Sequence, residues 1–122
     1  MNNNKIHIAN HLVRRKQFEV GEKEAKVALL KSMIMDFDVM IADLERQIAA
    51  EEDRTKIKDT SHPAYSMFAT AAAKRRQNML ISVAHTKATL DVAKRELDEV
   101  IAQLRDLEQI HPNQPSLISG AQ

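Results

Sequence analysis

Histidines and carboxylates are the side chains of this 122-residue chain best suited to metal binding or proton transfer. His7 and His11 stand four apart, a spacing that puts two imidazoles on one helix face, as zinc ligation requires. No cysteine exists, and no further carboxylate follows at ligand spacing, so both read as solvated histidines with no metal between them. His85 falls on an outward position, and His62 and His111 mark helix ends. No Gly-rich phosphate loop occurs, and no Ser/His/Asp set stands on a rigid turn. The carboxylates are spread along helix surfaces. These patterns predict neither an enzyme nor a cofactor.

Two short basic runs, Arg14-Arg15-Lys16 and Lys74-Arg75-Arg76, are the residues that could touch phosphates. No stacking aromatics interleave with them, acidic residues follow nearby, and the formal net charge is only +1. Solvated helix faces account for them, and no nucleic-acid partner is expected. The start, Met1-Asn2-Asn3-Asn4-Lys5, lacks the apolar run of a signal peptide. Nor does any apolar stretch approach the roughly 20 residues needed to span a bilayer. The expected location is the cytoplasm.

What must position these groups is helix. Ala, Leu, Glu, Lys, Gln, Arg and Met dominate, with two glycines, three prolines and no Trp. In the first half Val13, Val20, Val27, Ile34, Ile41 and Ile48 recur every seven residues, and Leu30, Phe37 and Leu44 form a second column. Lys16 and Lys23 occupy the early places of that second column. In the second half Val83, Leu90, Leu97 and Leu104 form one column; Ala72, Met79, Thr86, Ala93, Val100 and Leu107 form the other. These are the a and d positions of a coiled coil.

The fold class that follows is all-α, a long two-helix antiparallel coiled-coil hairpin with a disordered C-terminal tail. One helix is expected over about 6–56, a turn over about 57–61, a second helix over about 62–110 and the tail over 111–122. Pairing a against d places Ile48 opposite Ala72, Ile41 opposite Met79, Ile34 opposite Thr86 and Val20 opposite Val100. This register centres the fold-back near Thr60, where turn chemistry stands independently. Asp59, Thr60 or Ser61 is expected to cap the second helix, with Pro63 in its first turn. Lys16 and Lys23 face Leu104 and Leu97; their stems can cover the leucines by snorkelling, yet the open end is expected to be the weaker half. Gly21 adds about 1 kcal/mol of helix cost there. Arg76 faces Leu44 across the seam, where the alternatives are that it fixes register or that it snorkels toward Glu51 or Glu52.

Some apolar residues have no use in the seam. Leu29, Met35 and Val39 on the first helix, and Met67, Ile81 and Val92 on the second, fall on outer positions. A two-helix structure cannot bury those positions, which makes them candidate docking groups.

Two segments carry a family resemblance. Arg14-Arg15-Lys16-Gln17-Phe18-Glu19-Val20, followed by Met33-Ile34-Met35-Asp36-Phe37, resembles the flagellar type III export protein FliJ of the alphaproteobacterial type. So does His62-Pro63-Ala64-Tyr65-Ser66-Met67-Phe68-Ala69-Thr70-Ala71-Ala72-Ala73-Lys74-Arg75-Arg76-Gln77-Asn78, the more specific of the two. The resemblance covers roughly residues 10 to 110. It implies an antiparallel coiled coil similar to the stalk of rotary ATPases, with partners in the flagellar export ATPase ring and the export gate. Handling of empty export chaperones is also attributed to the family, and membrane contact is indirect, through the export apparatus. No catalytic residue is carried over.

On that footing Val39, Met67, Phe68 and Ile81 are expected to dock on the gate. Arg14, Arg15, Lys16, Leu97 and Leu104 are expected to meet the ATPase. A general coiled-coil adaptor is the alternative, and a small nucleic-acid-binding hairpin a more distant one.

Overall fold

The computed structural model describes residues 3–110, with side chains from residue 4 onward, and its regular structure there is entirely helical. Helix α1 runs Asn3–Thr55 and α2 runs Met67–Ile110, packed against each other as a hairpin. The tail expected from His111 onward lies outside the described residues. Contacts divide the hairpin into two compact units. One is terminal, built from α1 through Leu29 and α2 from Leu90; the other is the turn unit, Leu30–Thr89.

In the terminal unit Val13, Val20, Val100 and Leu104 form a buried cluster, with Leu97, Ile101 and Leu107 packed on it. Leu104 and Val13 are the largest fully buried side chains, at 0% and 1% exposure. This corrects the expectation of a depleted seam at the open end. Lys16, at the seam, is half-buried, and its Nζ donates to Glu19 Oε1 and to Gln103 Oε1, both at 2.9 Å. A half-buried lysine can lay its stem on apolar surface and still keep its charge paired. Lys23 and Lys26 flank Glu96 at 4.0 and 3.8 Å. These cross-helix pairs are symmetric about Thr60 to within a residue or so, the register that the heptads predict. Gly21 has open space where a Cβ would stand.

The turn unit keeps the same register. Leu30, Ile41, Leu44, Ala72, Val83 and Thr86 are buried, and Ile34, Phe37, Ile48 and Met79 are half-buried. Large residues meet small ones, which allows close packing. Thr86 satisfies its hydroxyl by donating to the Ser82 carbonyl at 2.8 Å, so a polar side chain sits in the seam without an orphaned group. Arg76 Nε donates to Glu45 Oε2 at 2.9 Å; it does not reach toward Glu51 or Glu52. Those two carboxylates are occupied by the turn.

The first helix ends where Lys56 turns left-handed, with φ 62°, and its N–H bonds the Glu52 carbonyl at 2.9 Å. That is an αL helix stop made without glycine. The second helix begins later than expected, at Met67 and not near residue 62. Its cap is Ser66, whose Oγ accepts the Ala69 N–H at 3.1 Å. Asp59 and Ser61, expected as caps, build the connection instead: Asp59 Oδ1 accepts the Ser61 N–H at 3.0 Å and hydroxyl at 2.7 Å. Pro63 follows His62 in a tight turn closed by the Tyr65 N–H on the His62 carbonyl at 3.0 Å. Its fixed φ suits the second residue of such a turn as well as a helix's first turn, and here the turn wins.

Candidate docking surfaces

The turn gathers several polar side chains. Tyr65 donates its hydroxyl to Glu52 Oε2 at 2.7 Å, and Ser66 donates to Glu51 Oε1 at 3.1 Å. Arg54 also pairs with Glu51. The hydrogen bond from Arg54, aided by that from Ser66, holds the Glu51 carboxyl below the ordinary range. Ser61 does the same to Asp59, through its hydroxyl first and its N–H second. The Glu52 carboxylate pushes the Tyr65 phenol upward. His62 Nδ1 accepts the Ala64 N–H at 2.9 Å, an arrangement that orders the loop. Each group is committed to holding the connection against the end of α1. Among the described residues no group of three or more His, Cys, Asp or Glu could hold a metal ion. His7 and His11 stand exposed on α1.

What the helices offer outward is apolar. In the turn unit Val39 is 67% exposed, Met67 88%, Phe68 56% and Ile81 60%. Met67 and Phe68 are neighbours in the first turn of α2. Val39 and Ile81 stand at the same level, symmetric about Thr60, yet each occupies the position of its helix that points away from the other. The four do not form one flat patch, so a partner that meets all of them must wrap around the turn unit. Met33, Met35 and Met40 are exposed on the same stretch of α1, alongside Asp36 and Asp38.

In the terminal unit the expected set divides. Arg14 and Arg15 are exposed, with no hydrogen bond or ion pair among the described residues. Lys16 is engaged within the hairpin, as described above. Leu104 is fully buried and Leu97 half-buried against the Val13 cluster, so neither is a free anchor. This corrects their assignment as docking groups: packing within the hairpin already supplies the cover. The anchor not foreseen is Phe18, 70% exposed beside Arg14 and Arg15. Its heptad position, facing away from the seam, was signal enough to find it. Leu12, Phe18 and Leu107 line one open hollow with the two arginines.

Comparison with family models, with curated proteins and with solved structures finds no match. Any reading of function is carried by the chain's own residues. Among the described residues no helix is long and apolar enough to cross a membrane.

Proposed function

We propose that the chain is a non-enzymatic component of flagellar type III protein export, a stalk-like coiled coil linking the export ATPase ring to the export gate. The observation that carries the reading is the His62–Asn78 segment, whose turn, aromatic pair, alanine run and basic triplet resemble FliJ. It stands in a chain that folds as the two-helix hairpin such a resemblance implies. The terminal unit meets the ATPase through Arg14 and Arg15. The turn unit meets the gate through Val39, Met67, Phe68 and Ile81. Empty export chaperones are a further partner class. The working location is the cytoplasmic side of the inner membrane, held there by the export apparatus.

The magnitudes are adequate for docking. An exposed apolar anchor contributes about 1 kcal/mol or more once a partner desolvates it fully. A general coiled-coil adaptor is favoured by one observation, the apolar surplus around Met33–Met40, which would suit an unrelated helix equally well.

Co-purification with the export ATPase and gate from the same organism, together with swimming motility, tests the reading. Val39→Asp with Ile81→Asp should remain helical by circular dichroism, lose gate binding and motility, and keep ATPase binding. Arg14→Glu with Arg15→Glu should lose the ATPase and keep the gate. Helical variants that retain both partners and full motility would refute it, and capture of neither partner by the unaltered chain would leave the adaptor.

A further inference from the structure

We propose that the outer face of α1 from Ile8 to Glu22 is a docking site for an acidic amphipathic helix of a partner protein. Ile8, Leu12 and Phe18 are 60%, 43% and 70% exposed. At 100° per residue they fall within one sector of the helix, about 120° wide, the width of an apolar stripe that receives another helix. Arg15 stands inside that sector and Arg14 at its edge, beside Phe18. Neither guanidinium has a partner among the described residues, whereas Lys16, Lys23 and Lys26 on the flank are engaged within the hairpin.

His11, Glu19 and Glu22 also stand in the sector, Glu19 paired with Lys16, and the two unpaired guanidiniums leave it net basic, so the complement is apolar at helical spacing and anionic opposite Arg14 and Arg15. Carboxylates suit it, because the planar guanidinium fork takes them with two parallel hydrogen bonds. Glu19 and Glu22 line the same hollow. They would repel a continuous phosphate backbone yet tolerate a peptide carrying discrete charges. The chain's own residues 111–122 contain no Asp or Glu and so lack the required complement.

The inference rests on the reading of the terminal unit as the ATPase-facing part and specifies the chemistry there. Its test needs no export machinery. The probe is a fluorescent peptide of about five helical turns, with leucine at every third or fourth place and glutamate between. Its controls are the same leucines with lysine between, and a single-stranded oligonucleotide. The full-length chain should bind the glutamate peptide, and weaken by about tenfold or more from 50 to 500 mM salt. The lysine peptide should bind at least about tenfold more weakly. Phe18→Ser, and Arg14→Glu with Arg15→Glu, should each lose about tenfold or more while keeping their helicity.

Absent binding, equal binding of the two peptides, or tighter binding of the oligonucleotide overturns the proposal. So does self-association that these same substitutions abolish, which would make a second copy the occupant. Movement of the Leu117 and Ile118 amide resonances by Phe18→Ser in the free chain would assign the face to the tail and also overturn it. Capture of the export ATPase without peptide binding sinks this inference alone. Peptide binding without ATPase capture sinks the export assignment alone.

Discussion

Lys56 ends α1 with its backbone in the left-handed region, φ 62°, where a residue bearing a Cβ gives up about 1–2 kcal/mol. Its side chain contributes little in return, since the Lys56–Asp53 pair at 3.4 Å is largely exposed. Lys56→Gly should therefore raise stability by about 1 kcal/mol in urea unfolding, and Lys56→Val should lower it. The carboxylates of the turn give a pH signature. Glu51 and Asp59 titrate lower in the folded chain than in the unfolded one, so the unfolded chain takes up protons first on acidification. Their contribution is present at neutral pH and is lost as pH falls through and below the ordinary carboxylate range, near pH 4. Glu51→Gln with Asp59→Asn should make stability less steeply dependent on pH there. Tyr65 has the opposite sign: its raised phenol loses its contribution as pH climbs past about 10.

The two helices were largely legible, because a β-branched or leucine residue every seventh place is visible without coordinates. Every seam residue from Val13 to Leu107 proves buried or half-buried. What the pattern could not convey is how well the open end is packed. Lysine stems at seam positions can cover leucine, but the two acceptors of the Lys16 ammonium, Glu19 and Gln103, become visible only in the fold. The start of α2 was obscured for a related reason. Asp59, Ser61 and Ser66 are all competent caps, and only the tight turn at Pro63 decides that Ser66 serves. Among the docking groups, exposure at Val39 and Ile81 was readable from heptad position, whereas the burial of Leu104 depended on the packing of its cluster with Val13, Val20 and Val100. The correction changes a stability expectation. Leu104→Ala should cost about 3 kcal/mol or more, at least as much as Leu90→Ala, in urea denaturation. A clearly smaller loss at Leu104 would restore the weaker open end.

For the molecule as a whole, the antiparallel register makes one intramolecular test decisive. Cysteines at Ile34 and Thr86 should join within a monomer, and exclusively intermolecular bridging would replace the hairpin by a swapped dimer. The burial at Leu104 also has a consequence in time. Contacts at the turn, such as Tyr65 with Glu52, join residues near in sequence and close small loops. Val13 and Leu104 join residues from opposite parts of the chain, and closing so long a loop costs about 0.6 kcal/mol more for each doubling of its length. Zipping from the turn avoids meeting that cost in one step, which makes the best-buried layer the last to form. Leu104→Ala should then leave the refolding limb of a chevron plot nearly unmoved and steepen escape from the native state. For a loss of about 3 kcal/mol expressed wholly in that limb, unfolding would quicken by about a hundredfold. The hairpin's residence time in the folded state would be set at the end where its chain begins and α2 finishes.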